Sequence, residues 1–447
     1  MSWAGGGDIP LFEGADQRRL FVVRHAPSDE SKKEVYGMNS GDTAWILIST
    51  ALVFIMTPGL AFFYGGMARR KNVLSLLMQC FIIMCVIGLQ WVLFGYSLAF
   101  GPDTGHGIIG SLKWMGLFGV GGQPNPDYAG TIPHYVFMMF QMMFAVITPA
   151  LIIGAFAERI KFSSFLVFTI LWATFVYDPL AHWVWGVGGW LRELGALDFA
   201  GGIVVHFSSG MSALVMALLL GKRVGYDKQT FRPHNVPFTV LGAALLWFGW
   251  FGFNAGSALA ANDLSANAFV TTYVAAAAAG LTWALIEWQQ HGGATVLGTA
   301  TGVVAGLVAV TPACGFVHPM NAIIIGMIVS MFCYVAVAKV KPRLGYDDSL
   351  DVFGIHGIGG LWGTLATGLF AEKAVNAAGA DGLFFGNPRQ FLVQCLLFVV
   401  AGVFAVTATW IIYKVVDAVM GMRVDAKSET IGLDLTQHNE SAYTMLE

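Results

Sequence analysis

Apolar residues run through this chain in long unbroken blocks, with polar residues gathered between them. A block of about 20 apolar residues, at ~1.5 Å rise each, crosses the ~30 Å hydrocarbon layer of a bilayer. Eleven blocks reach that length, near 43–65, 74–100, 134–157, 163–184, 201–221, 236–257, 264–287, 294–312, 320–340, 352–371 and 390–417. The pattern predicts an all-α membrane protein of eleven transmembrane helices. Glycines in the block 201–221 would weaken a soluble helix but are common in membrane ones.

Composition agrees with the pattern. Only 11% of residues are charged and 56% are hydrophobic, with mean hydropathy +0.67. A soluble domain carries about 25% charged residues, so this chain cannot coat a globular surface with charge, and lipid must serve as solvent. The 55 glycines suit helices that pack closely through small residues. A net charge of -3, with basic residues scattered through loops, excludes a nucleic-acid partner. Cys80, Cys85, Cys314, Cys333 and Cys395 lie mostly in apolar runs and form no C-x-x-C pair. They read as small core residues and give neither a disulfide frame nor a metal site.

The basic residues orient the chain. Arg69, Arg70, Lys71, Arg159, Lys161, Lys222, Arg223, Lys228, Arg232, Lys339, Lys341 and Arg343 occupy one set of loops. The opposite set holds Lys113, Arg192, Lys373 and Arg389. The richer set is expected in the cytoplasm, which puts the N-terminus outside and the C-terminus inside. Residues 1–41 form an extension expected to be flexible. They mix basic and acidic residues, lack the apolar core of a signal peptide, and leave Met38 as an alternative start. The membrane domain is expected over 42–417, and 418–447 as a cytoplasmic tail.

Polar groups inside a span are costly and mark functional sites by default. His206 lies early in the fifth span, after Asp198, and His356 early in the tenth, after Asp351. Five spans separate them, as a five-plus-five inverted repeat plus one extra helix would require to place both on one central path. The residues alone leave three readings open: a hydrogen bond between helices, a bis-histidine haem site, or a polar relay along a pore. The other histidines, among them His134 and His182, fall in loops or near span ends and receive no role. Aromatics form a second group. Phe140 and Phe144 are four residues apart on one helix face, as are Phe253 and Ser257, with Trp250 three before Phe253. Taken singly, each is accounted for by lipid packing or an interfacial aromatic belt.

Several long segments resemble the ammonium transporter family (Amt/Mep/Rh), its bacterial and archaeal branch above all. They include Phe63-Tyr64-Gly65-Gly66, Ile147-Thr148-Pro149-Ala150, Ala157-Glu158-Arg159-Ile160, Leu197-Asp198-Phe199-Ala200-Gly201-Gly202, Gly249-Trp250-Phe251-Gly252-Phe253-Asn254 and Val352-Phe353-Gly354-Ile355-His356-Gly357. The likeness runs from about residue 42 to the C-terminus. It implies a homotrimer in the inner cell membrane that transports ammonium or methylammonium, without enzymatic activity or cofactor. It implies a recruitment site of Phe144, Trp185 and Ser257, with Asp198 as support. A gate of Phe144 over Phe253 with Phe140 nearby is implied, and a pore lined by Trp250 and the pair His206 and His356. The tail, Gly421-Met422-Arg423-Val424 to Gly432-Leu433-Asp434, resembles one that communicates with PII-type regulators at the cytoplasmic face. An ammonium sensor that conducts little is the alternative the resemblance leaves.

Overall fold

The computed structural model describes residues 37–443. The expected N-terminal extension lies almost wholly outside the described residues.

Each of the eleven apolar blocks is a helix. The first five are α1 (Ser40–Met67), α2 (Arg70–Phe100), α3 (His134–Phe156), α4 (Phe162–Glu193, broken at 186–189) and α5 (Gly202–Leu220). Next come α6 (Val236–Ala258), α7 (Asp263–His291), the shorter α8 (Val296–Val310) and α9 (Pro319–Leu344). The last two are α10 (353–370) and α11 (Pro388–Met420). On α11, Leu392, Leu396, Val399 and Val403 are all exposed, at 65%, 42%, 49% and 64%. Spaced on one helix face, they make an apolar stripe that water would not tolerate and lipid would. Two short helices, α12 (Ala426–Ile431) and α13 (Leu433–His438), follow.

The packing repeats. α1 packs on α2 and α3, α2 on α3, and α3 on α5. Five helices later, α6 packs on α7 and α8, α7 on α8, and α8 on α10. The halves meet where α1 lies along α6 and α5 along α10. The α5–α10 crossing is tight because a glycine stands at each close approach. A Cβ on Gly210 would fall 2.2 Å from the Gly357 nitrogen, and one on Gly360 would fall 2.8 Å from the Phe207 nitrogen. Over the α2–α3 connection a small antiparallel hairpin, β1 (Pro124–Asn125) and β2 (Ala129–Pro133), sits beside the start of α3.

Candidate functional site

The first four N–H groups of a helix have no partner within it. At the start of α5 one side chain satisfies all four. Asp198 Oδ1 accepts from the Gly201 and Gly202 amides at 2.8 and 2.6 Å, and Oδ2 from Ile203 and Val204 at 2.9 and 3.1 Å. The chain turns in at Gly201, whose φ of 112° suits glycine. His206 then falls on a π-turn, Gly202–Phe207, and His356 on its counterpart, Phe353–Gly357. Such turns hold one more residue than an α-turn and occur often at functional sites.

The two histidines are 150 positions apart, and the same offset relates Asp198 to Asp348. Asp348 Oδ2 accepts from the Phe353 amide at 2.8 Å at the opposite end of the bundle. Sequence reading paired His356 with Asp351, which is nearer in the chain. Asp351 instead has a φ of 62° and binds Lys341 at 2.6 Å. The capping acid is found only by counting the repeat.

The predicted residues converge on one column. His206 and His356 face each other Nδ1 to Nδ1 at 3.2 Å, their rings stacked at 5.3 Å. Each ring is buried, and His206 Nε2 has no hydrogen-bond partner among the described residues. Trp250 stacks on His206 at 5.2 Å, held by its Nε1 donating to Thr311 Oγ1 at 2.9 Å. Phe253 lies 5.9 Å from His206 and stacks with Phe144 at 4.2 Å. Phe140 meets Phe144 edge-on at 5.1 Å. The Phe144 and Phe253 rings are almost wholly buried, at 1% and 0% exposure.

That stacked pair divides two cavities. Above it is an open vestibule of about 420 Å³, lined by Phe144, Trp185, Ser257, Asp198 and also Tyr128, Gln141 and Arg192. Below is a slot of about 10 Å³, lined by Phe253, Trp250, His206, His356 and apolar side chains such as Leu60, Ile147, Leu246 and Val304. That volume holds on the order of one water-sized molecule. Trp185 stands edge-on to Phe144 at 6.0 Å; its Nε1 donates to the Asp198 carbonyl at 2.8 Å. Trp183, two residues earlier, packs away from it against Phe404 and Trp190. Ser257 Oγ donates to the Phe253 carbonyl at 2.8 Å.

The sequence alone assigns no site role to Gln141, Tyr128, Arg192 or Thr311. A signal existed only for Gln141, a lone amide inside an apolar run. His134 and His182 stand apart from the column. His134 binds the Tyr96 hydroxyl at 2.5 Å, while His182 contacts the Ala99 carbonyl at 2.9 Å and Asp103 at 3.0 Å.

The basic loops gather at the end of the bundle away from the vestibule. Arg69 and Arg223 both bind Glu158, at 2.5 and 3.4 Å, and Arg223 binds Asp347 at 2.9 Å. Burial pushes the Asp347 carboxyl up. The Arg223 fork and its charge, with Arg159, outweigh that and hold it below the usual carboxylate range. The tail docks here. Val224 N–H donates to Glu429 at 2.5 Å, Arg423 binds Glu429 at 2.8 Å, and Ser75 N–H donates to Asp434 at 2.7 Å.

Comparison with known proteins bears on what this column belongs to. The model of the Ammonium Transporter Family matches residues 44–443. The chain belongs to the Ammonium Transporter Family. The ammonium transporter of Bacillus subtilis (strain 168) is 53% identical over 91% of this chain and 99% of its own length. Ammonium transporter Amt1 of Archaeoglobus fulgidus is 50% identical over 91% of this chain and 100% of its own. The crystal structure of Saccharomyces cerevisiae Mep2 superposes with a TM-score of 0.82 at 39% identity, covering 87% of this chain and 88% of that one. Membership in the family agrees with the apolar outer stripe: this is a membrane protein of many spans.

Proposed function

We propose that this protein transports ammonium, taking the ion at the vestibule and passing neutral ammonia through the slot below. The carrying observation is the Phe144–Phe253 stack, with a half-open aromatic vestibule on one side and joined histidines in an apolar slot on the other.

Phe144, Trp185 and Ser257 recruit the cation. A ring face is worth roughly 0.5–2 kcal/mol to a cation, enough to concentrate it at the mouth. It does not offset the cost of a full charge in an apolar slot, at least ~2.5–3.5 kcal/mol on the most lenient scale. Ammonium escapes that cost by losing a proton, a penalty of ~3 kcal/mol about two units above neutral pH. Potassium has no such route. Phe144 and Phe253 close the path between passages, with Phe140 bracing them. Trp250, His206 and His356 line the dry segment. Neutral imidazole has one donor and one acceptor nitrogen, so one N–H shared between the two Nδ1 atoms fixes both tautomers. Their polar edges then guide ammonia and relay its proton, giving net proton co-transfer.

In this reading the vestibule faces outward and the basic end faces the cytoplasm of the cell's inner membrane. The membrane domain spans 42–417, preceded by the extension 1–41 and followed by the tail 418–447, against which a PII-type protein docks. Three copies assemble, each with its own pore. Current across proteoliposomes under an ammonium gradient, with potassium as control, tests the core of this. Ammonium-driven current without potassium current is expected; equal passage of both ions rules the dry slot out. His206→Ala with His356→Ala is expected to abolish methylammonium uptake. Tight ammonium binding with almost no flux in the parent protein would make it a sensor instead.

A further inference from the structure

Gln90 on α2 and Asp178 on α4 sit at membrane depth and take no part in the column above. Asp178 is fully buried. Gln90 Nε2 donates to Asp178 Oδ2 at 2.7 Å and to Thr174 Oγ1 at 3.2 Å. Three buried oxygens here have no hydrogen-bond partner among the described residues: Asp178 Oδ1, Gln90 Oε1 and the Tyr177 hydroxyl. The backbone is altered on both sides of the pair. A π-turn, Trp91–Gly95, begins directly after Gln90, and another, Ala173–Tyr177, ends directly before Asp178.

Apart from Tyr177, the charged and titratable groups nearby are engaged elsewhere. His182, one turn along α4, is held by Ala99 and Asp103 of the α2 end. Tyr96 of α2 binds His134 of α3, and Asp198 before α5 binds four amides. From α11, Thr409 is taken by the Trp172 indole. Asp178 is left with one neutral amide as its hydrogen-bond partner among the described residues. A bare carboxylate in such surroundings costs several kcal/mol. One proton on Oδ1 removes the charge. It also converts an unpartnered acceptor into a donor, where unpartnered acceptors are in excess.

We propose that Asp178 and Gln90 form a proton-binding site inside the membrane, apart from the histidine pair, with the proton on Asp178 Oδ1. Trp185 lies seven residues on, about 10 Å along the helix, so the proton rests on the vestibule side of the bundle.

Infrared spectroscopy of the full-length chain in lipid nanodiscs, in heavy water at neutral pD, tests this. The parent protein is expected to give the carbonyl stretch of a protonated carboxylic acid, missing in Asp178→Asn. Identical spectra in that region overturn the proposal. Thermal unfolding gives a second arm. Asp178→Asn, which copies the shape of the neutral acid, is expected to keep the parent's melting temperature to within about 2 °C, whereas Asp178→Leu, with no oxygen for Gln90, lowers it several degrees. An Asn variant that melts as low as the Leu variant, or fails to fold, means the charge itself is required and also overturns the proposal. Neither arm reads ammonium passage, so its outcome is independent of the transport reading.

Discussion

At the scale of single residues, the Ser257 hydroxyl is the group by which the proposed recruitment site would distinguish two cations of similar size. Its one hydroxyl hydrogen is committed to the Phe253 carbonyl. Only lone pairs remain to face the vestibule, and they accept from an N–H. Ammonium has such a hydrogen to give; potassium has none. Ser257→Ala is therefore expected to weaken ammonium or methylammonium recruitment by about 1 kcal/mol, the net value of one hydrogen bond. Phe144→Ala is expected to raise the apparent half-saturation by roughly 2- to 30-fold, the range that one ring face covers. Uptake assays over a methylammonium series measure both. An unchanged half-saturation in Phe144→Ala would count against a cation cage at this ring. Phe144 and Phe253 were legible in the sequence through their i, i+4 partners. Gln141 and Arg192 were not, because their place in the vestibule depends on how separate helices converge.

At the scale of elements, the histidines meet because α5 and α10 cross without side chains between them. Gly210 and Gly360 each leave less than 3 Å for a Cβ against the other helix's backbone. Gly210→Ala is expected to force the helices apart at a cost of about 1–3 kcal/mol. It should also break the 3.2 Å Nδ1–Nδ1 contact and lower uptake. A crystal or cryo-electron microscopy structure of the variant checks the separation. The Asp198 cap makes a sharper case. Asp198→Asn turns one of two acceptor oxygens into a donor that faces amide N–H groups, so two of the four charge-assisted bonds are lost outright and the other two lose their charge. At roughly 1.5–3 kcal/mol each, the variant is expected to melt well below the parent. Asp348→Asn removes less, since Oδ2 alone accepts from Phe353. The eleven helices were readable because lipid imposes length and apolarity on every span. The π-turns were not, because no local residue pattern announces one extra residue in a turn. Asp178 and Gln90 escaped notice for a related reason: each is one polar letter in a long apolar run, and only the fold brings them together.

At the scale of the molecule, the two ends of the bundle are built differently. The vestibule end is aromatic and open. The other end is tied by a buried ionic network that joins the loops after α1, α3, α5 and α9 to the tail. The hold on α12 runs in part through Arg223. Its guanidinium binds Glu158 and Asp347, and the next residue, Val224, donates to Glu429 of α12. Removing one partner of a buried pair leaves the other charge unpaired, at about 3–5 kcal/mol. Arg223→Ala is therefore expected to loosen α12 from the bundle, while α13 stays held through Asp434 and Ser75. Acid should act on the same link. The Asp347 carboxyl is held below its unfolded value, so it binds fewer protons folded than unfolded. Its contribution to stability is then complete above the unfolded value, about 3.9, and drains away as pH falls through the folded one. Hydrogen-exchange mass spectrometry of residues 424–438 reads both effects. Protection in the parent protein is expected to persist from pH 7 to about pH 5 and to fall only in stronger acid. In Arg223→Ala the burial of Asp347 is no longer opposed by its fork, so protection should be reduced even at neutral pH. A parent tail that opened already near pH 6 would show that a group other than Asp347 holds it.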